Sequence, residues 1–198
     1  THHGISDAAF LRAMPNLSIL QPADADELQE MFSLALAQGT PVAIRYAKAD
    51  ASPLPKRSPV VWGKAVVVRD GSRVSLWCSG RETASGLAVA ELLRARGISA
   101  EVVNARFLKP FDADLLRDRA RRGFLVVSIE DHVKQGGLAS IVLETLSDFA
   151  SVRTLAFGWD ADRTIPHGDV KTLRREFGMT PDAIADSIAH ALADGSAN

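Results

Sequence analysis

The amino-acid sequence predicts an α/β fold: a small strand–helix–strand segment followed by a mostly parallel five-stranded sheet with one antiparallel edge. Two patterns predict it. Short apolar runs alternate with amphipathic stretches of helical length, and glycines end several of those stretches. With 198 residues, of which 46% are hydrophobic and 24% charged, the chain is long enough to bury a sizeable core.

The first segment predicts one strand–helix–strand unit. Residues 17–20 form a short apolar run that reads as a buried strand. Asp24 is a suitable N-cap for a helix over 25–37, with a glutamate three residues later, and Gly39 ends that helix. Residues 41–46 then predict a second strand. A strand–helix–strand unit of this kind is expected to be parallel and right-handed.

A stretch rich in proline and serine follows. Residues 51–59 contain three prolines and two serines, a composition typical of an interdomain linker. We therefore expect two units, one over residues 1–50 and one over residues 60–198.

The second unit predicts alternating strands and helices. Asp70-Gly71 is a hairpin signal, so the first two strands are expected to pair and form the antiparallel edge. The expected strands are 64–69, 74–78, 101–104, 124–129 and 152–157, and the expected helices are 83–96, 112–122, 137–148, 169–177 and 181–192.

Composition excludes several classes of function. The 23 basic and 24 acidic residues give a net charge of −1, which argues against a nucleic-acid partner. No apolar run reaches membrane-spanning length, so no membrane partner is expected. Cys78 is the single cysteine, which excludes an internal disulfide and suits a reducing, cytoplasmic compartment. Because the chain begins with Thr1 instead of methionine, we expect it to come from within a longer gene product.

The histidine pair His2-His3, followed by Gly4, is open to three interpretations. It could be part of a metal site, although no further ligand follows at a characteristic spacing. It could be a remnant of a purification tag. It could also bind substrate in a loop before a helix, since histidine donates hydrogen bonds and moves protons near neutral pH. The residues alone favour none of the three.

Other polar residues follow predicted strands. Arg45 ends the second strand, where α/β sheets bind ligands, and its guanidinium suits a phosphate or carboxylate, although a surface ion pair is slightly favoured. The run 130–132 (Glu-Asp-His) could do acid/base chemistry, but structural charges at the entry of a helix are favoured. Arg106 and Lys109 could bind a phosphate or dock one unit against the other.

Taken together, these segments resemble the 1-deoxy-D-xylulose-5-phosphate synthases, which are thiamine enzymes of the transketolase type. The order and spacing of the motifs carry the resemblance over nearly the whole chain. The matching stretches are Thr1-His2-His3-Gly4, Asp7, Phe10-Leu11-Arg12, Pro15-Asn16, Pro22-Ala23-Asp24, Arg45-Tyr46, Val102 to Pro110, Glu130-Asp131-His132, Gly136-Gly137 and His167-Gly168.

The resemblance implies an enzyme that uses thiamine diphosphate and Mg²⁺. Such enzymes condense pyruvate with D-glyceraldehyde 3-phosphate, losing CO2, and their product feeds isoprenoid, thiamine and pyridoxal biosynthesis. The resemblance assigns His2 to the substrate channel as a catalytic and substrate-binding residue. It assigns Arg45 to the phosphate of the acceptor, which reverses the preference from the residues alone. His3 receives no direct role.

The resemblance also implies what this chain lacks. The family's pyrophosphate- and magnesium-binding domain, and its catalytic glutamate, would lie upstream of Thr1. The chain would hold the end of the pyrimidine-binding domain and the whole transketolase C-terminal domain. We therefore expect this chain alone to bind neither thiamine diphosphate nor metal, to be inactive, and to form a homodimer.

Three departures from the family pattern concern the acceptor site and its surroundings. Ala47-Lys48-Ala49 stands where the family usually has proline, a basic residue and glycine, and Ser6 replaces an aromatic residue. Residues 158–163 also differ. Two alternatives remain: a subunit of a split transketolase or a 2-oxoacid dehydrogenase E1 β subunit, and a non-catalytic dimerisation domain.

Overall fold

A computed structural model describes residues 4–48, 53–55 and 58–194 of the chain. His2 and His3 lie outside the described residues, as does part of the predicted linker. Among the helices of the described ranges, none is long and apolar enough to cross a membrane.

The first segment forms the predicted strand–helix–strand unit. Strand β1 (Ser18–Leu20) and strand β2 (Val42–Ile44) are parallel and are joined by helix α2 (Ala25–Ala37). Asp24 caps α2 by accepting a hydrogen bond from the backbone N–H of Glu27 at 2.9 Å. A short preceding helix, α1 (Asp7–Leu11), was not predicted, because five residues are too few to show a helical period.

The second segment forms the mostly parallel five-stranded sheet, in the order β3-β5-β4-β7-β8. Only β3 is antiparallel to its neighbour, so the predicted fold class is confirmed. Its elements are β3 (Val66–Arg69), β4 (Val74–Cys78), α3 (Glu82–Ala95), β5 (Ala100–Asn104), β6 (Phe107–Lys109), α4 (Ala113–Arg121), β7 (Leu125–Val133), α5 (Leu138–Thr145), β8 (Thr154–Trp159), α6 (Val170–Glu176) and α7 (Pro181–Asp194).

The predicted hairpin between β3 and β4 is wrong. Strand β5 lies between them, and β3 pairs with β5. The turn at Asp70-Gly71 instead crosses the start of β5, where a Cβ on Gly71 would lie 2.1 Å from the backbone carbonyl carbon of Ala100. Glycine is therefore required by a close backbone approach, which gives the same sequence signal as a hairpin turn.

Strand β7 is longer than predicted. It continues to Val133, so Glu130, Asp131 and His132 lie within the strand instead of in a loop after it. Val133 pairs with Trp159 of β8, and its N–H donates to the carbonyl of Ile5 at 2.8 Å. The extension depends on contacts with two distant segments, which local sequence patterns do not show.

Strand β6 ties the two segments together. It pairs antiparallel with β1 and so adds a third strand to the small sheet, in the order β2-β1-β6. At three residues it is too short for its alternation to be recognised. The chain from 107 to 109 therefore belongs to the small sheet in space although it follows β5 in sequence.

The five-stranded sheet has a buried apolar layer on each face. Helices α3 and α7 cover one face, where Leu76 and Val127 point toward them. Helices α4 and α5 cover the other, together with Ala8 of α1 and Ile19 of β1. The first segment is thus packed into the core of the second.

Candidate functional site

Arg45 joins three segments of the chain just after the end of β2. Its Nε donates to both carboxylate oxygens of Asp7, at 2.9 and 3.1 Å. Its Nη2 donates to the carbonyls of Gly4 and Asp131, each at 2.7 Å. Among the described residues, Nη1 has no hydrogen-bond partner, so this arginine keeps one nitrogen for a ligand.

The chain that follows His2 and His3 is fixed at the same place. The carbonyls of Gly4 and Ile5 accept hydrogen bonds from Arg45 and from the N–H of Val133. The structure therefore anchors residues 4 and 5 beside Arg45, while the position of His2 itself is outside the described part.

Glu130 caps helix α5 from within β7. Its carboxylate accepts hydrogen bonds from the N–H groups of Leu138 and Ala139 at 2.7 and 2.8 Å. A Cβ on Gly137 would lie 2.1 Å from Oε2 of Glu130, which explains the glycine at the start of the helix. The group that accepts hydrogen bonds at this helix N-terminus is thus the protein's own carboxyl group. Burial raises the pKa of Glu130 to about 8.

His132 holds α1 against β7. Its Nε2 accepts from the backbone N–H of Ala9 at 3.3 Å, and its Nδ1 lies 2.7 Å from the carbonyl of Val133. Burial lowers the pKa of the imidazole. These contacts, with those of Glu130, indicate structural roles for both side chains, as favoured from the residues alone.

Arg106 and Lys109 dock the two segments. Arg106 donates through Nε to the carboxylate of Glu27 at 2.7 Å. Lys109 donates through Nζ to the carbonyls of Arg12 and Met14, at 3.0 and 2.6 Å. Of the two interpretations left open, docking is the one that these contacts support.

A cleft of about 610 Å³ lies beside Arg45, between the first segment and the ends of β7 and β8. Asp131 faces it and accepts a hydrogen bond from Nε1 of Trp159 at 3.0 Å. The cleft is lined by Gly4, Ile5, Asp7, Arg45, Tyr46, Ala47, Lys48, Arg81, Asp131, Trp159, Ile165, Gly168, Val170 and Leu173. This position, outside the carboxyl ends of strands, is where α/β sheets bind ligands.

The sequence matches two family models in succession. Residues 1–53 match the model described as transketolase, pyrimidine binding domain, and residues 63–184 match transketolase, C-terminal domain. The chain belongs to the transketolase family.

Curated relatives within this family are 1-deoxy-D-xylulose-5-phosphate synthases. The protein of that name from Caldanaerobacter subterraneus subsp. tengcongensis is 38% identical over 95% of this chain. The one from Gloeobacter violaceus is 40% identical over 97%. The chain spans 30% and 31% of the lengths of these two relatives. The resemblance inferred from the motifs is confirmed.

Solved structures of transketolases show the same fold. A split-gene transketolase, described as an inactive β4 tetramer, superposes with a TM-score of 0.88 at 31% identity, over 96% of this chain and 62% of that chain. The transketolase of Campylobacter jejuni superposes with a TM-score of 0.74 over 94% of this chain and 28% of its own; at 20% identity it shows the fold alone.

The sequence motifs did not point to Arg81 and Trp159, although both side chains line the cleft. Arg81 follows the end of β4, so the strand-end rule that singled out Arg45 would also have found it. Trp159 gave no local signal, because its indole reaches Asp131 only through the pairing of β7 with β8.

The Mg²⁺ ion that accompanies a bound diphosphate requires free oxygen ligands from the protein. Within the described ranges, no three His, Cys, Asp or Glu side chains converge to hold a metal ion. Of the carboxylates that line the cleft, Asp7 accepts from Arg45 through both oxygens, and Asp131 accepts from Trp159 through Oδ1. These residues therefore do not fit a magnesium diphosphate group.

Proposed function

We propose that this chain supplies one wall of the acceptor site of a 1-deoxy-D-xylulose-5-phosphate synthase. The enzyme would use thiamine diphosphate and Mg²⁺, held by residues outside this chain, to join a two-carbon unit from pyruvate to D-glyceraldehyde 3-phosphate with loss of CO2. The observation that carries the proposal is 35–40% identity to eight synthases of that name over 91–98% of this chain.

Arg45 is proposed to bind the phosphate of the acceptor. Its Nε and Nη2 hold the wall together through Asp7 and two carbonyls, which fixes the plane of the guanidinium. Nη1 then remains to donate to an oxyanion, and a fixed guanidinium loses little entropy on binding. His2 is proposed to act in the same channel, two residues before the anchored Gly4.

The decisive experiment is an assay of the longer protein that contains this chain, with pyruvate and glyceraldehyde 3-phosphate. We expect 1-deoxy-D-xylulose 5-phosphate, and Arg45→Gln should raise the KM for the acceptor about ten-fold or more, since a charged hydrogen bond contributes about 1.5–3 kcal/mol. The KM for pyruvate should change little. Absence of the product would overturn the proposal.

The split transketolase is the main competitor. The split-gene structure is 31% identical, below the range of the synthases, so this alternative is less favoured. Product formed from xylulose 5-phosphate and ribose 5-phosphate, with none from pyruvate, would establish it instead.

The isolated chain is proposed to be inactive and self-associating. The related split-gene structure, which is described as an inactive β4 tetramer, supports both parts of this proposal. Calorimetry with thiamine diphosphate should show no binding to the 198-residue chain, and micromolar affinity would contradict this. Light scattering should give a homodimer or larger assembly, and a clean monomer of 21.2 kDa would exclude self-association.

A further inference from the structure

His132 caps helix α1 from a strand that lies 123 residues further along the chain. Its Nε2 accepts from the backbone N–H of Ala9 at 3.3 Å. That N–H belongs to the first turn of α1, where the donors of a helix have no partner within the helix. Among the described residues, the N-cap residue Ser6 makes no side-chain capping hydrogen bond. A helix of five residues is also too short to be stable by itself, so the start of α1 depends on the imidazole.

The imidazole is neutral in this arrangement. Its Nδ1 lies 2.7 Å from the carbonyl of Val133, which can only accept, so Nδ1 carries the proton. Nε2 then keeps a lone pair, which is what the N–H of Ala9 requires. Burial lowers the pKa of the His132 imidazole, and the guanidinium of Arg45 acts in the same direction. The ring therefore acts here as a hydrogen-bonding spacer and not as a cation.

The start of α1 is also where Arg45 is held. Asp7, the first residue of the helix, accepts from Nε of Arg45 through both carboxylate oxygens, at 2.9 and 3.1 Å. Its Oδ1 lies 3.6 Å from Nε2 of His132, which is beyond hydrogen-bond distance. The imidazole thus acts on Asp7 through the helix backbone: Ala9 is two residues away, and a shift of its N–H moves Asp7 with it.

We propose that His132 is a positioning residue for the acceptor phosphate. It fixes the start of α1, so that Asp7 holds the guanidinium plane of Arg45 in the orientation that binds. This proposal deepens the proposed function and rests on it. A residue that only stabilised the fold would affect both substrates alike, whereas a residue that positions Arg45 affects the acceptor selectively.

The first test follows hydrogen exchange of the Arg45 Nε–H by NMR in the 198-residue chain, and it needs no reaction. The Nε–H of Arg106, which donates to Glu27 at 2.7 Å, is the reference. His132→Phe keeps a ring but cannot accept, so exchange at Arg45 should become about ten-fold faster while Arg106 stays unchanged. His132→Gln should restore slow exchange, since its amide oxygen can accept from Ala9. Unchanged exchange at Arg45, or an equal increase at both arginines, would overturn the proposal.

The second test measures steady-state kinetics of the longer protein that contains this chain. His132→Phe should raise the KM for glyceraldehyde 3-phosphate about ten-fold and leave kcat and the KM for pyruvate within about two-fold. His132→Gln should return the KM for the acceptor to near its original value. Equal increases of the two KM values, or equal effects of the two variants, would overturn the positioning role. Absence of product from the unchanged enzyme would instead overturn the proposed function, and the exchange test would still decide the role of His132.

Further variants show whether the effect passes through Asp7. Asp7→Asn should raise the KM for the acceptor about ten-fold, and adding His132→Phe should raise it little further, because both changes release the same guanidinium. A combined increase of about a hundred-fold would mean that the two residues act independently and would overturn the proposal.

The control for lost stability lies at the other end of the five-stranded sheet. Arg119→Gln breaks an ion pair with the buried Glu101, near the amino end of β5, and should leave the KM for the acceptor unchanged. A rise in this KM equal to that of His132→Phe would show that destabilisation alone explains the effect, and the positioning role would be lost.

Discussion

Arg106 and Arg45 both cross the boundary between the two segments, in opposite directions. They differ in how many of their guanidinium nitrogens have a hydrogen-bond partner. Arg106 reaches from the second segment into the first. All three of its nitrogens donate: Nε to Glu27, and the two Nη atoms to the carbonyls of Pro59 and Ser58. The side chain is only 4% exposed, and its backbone has a positive φ of 58°. An arginine in that region of φ is strained, so the surrounding contacts must hold it.

Arg45 reaches from the first segment toward the second. Its Nε and Nη2 donate to Asp7 and to the carbonyls of Gly4 and Asp131, while Nη1 faces no partner among the described residues. The side chain is 18% exposed and lines the cleft. Two arginines that each follow a strand thus differ in how many donors remain, and that difference separates a structural arginine from a candidate binding residue.

The largest effect is expected from removing the buried arginine. Arg106→Gln leaves the carboxylate of Glu27 buried without its charged partner, which should lower the free energy of unfolding by about 3–5 kcal/mol in urea denaturation. Arg94→Gln, on an exposed pair with Glu91, is the control and should leave the urea midpoint close to that of the unchanged chain. A loss for Arg106→Gln no larger than that of the control would remove the structural assignment.

A smaller loss is expected at the other arginine. Arg45→Gln removes hydrogen bonds to one carboxylate and two carbonyls, but Asp7 is partly exposed and water can replace the guanidinium. We expect about 1–3 kcal/mol from the same urea experiment. A loss as large as that of Arg106→Gln would mean that Arg45 is also structural, and would weaken its proposed role in phosphate binding.

A pH-dependent loss of stability is expected from Glu130, whose carboxyl group caps helix α5. Its pKa is raised from the ordinary value of 4.5 to about 8, so the folded chain holds a proton that the unfolded chain releases in this window. Stability from this group is full below about 4.5 and is lost as the pH rises through about 8, with a slope of at most about 1.4 kcal/mol per pH unit.

Glu130→Gln should remove that slope and keep a neutral acceptor for the N–H groups of α5. The comparison is made by urea denaturation at several pH values between 5 and 9, roughly the window of the shift. His132 titrates with the opposite sign, because its pKa is lowered, and it is present in both chains. Parallel stability curves for the two chains would refute the raised pKa of Glu130.

The order and type of most elements could be predicted from the sequence. Helix α2 was recognised because Asp24 and Gly39 mark its ends, and the strands of the five-stranded sheet were recognised because they are buried apolar runs. The strand-end rule also pointed to Arg45, which does line a cleft. The family resemblance, which rested on the spacing of several short motifs, was confirmed as well.

What could not be predicted depends on contacts between distant residues. The turn at Gly71 looks like a hairpin, and only the insertion of β5 between β3 and β4 shows that it is not. The extension of β7 through Glu130 and the pairing of β6 with β1 depend on partners about 30 to 130 residues away. Short strands with remote partners carry little local periodicity.

The sequence by itself therefore determined the fold class, the family and the candidate arginines, because periodicity, capping residues and motif spacing are local or ordered along the chain. The tertiary structure alone decided which arginine has a hydrogen-bond partner for every nitrogen and which keeps a donor without a partner among the described residues. Arg106 meets a buried carboxylate, whereas Arg45 meets one at the edge of a cleft, and hydrogen-bond capacity depends on what the folded chain brings within about 3 Å.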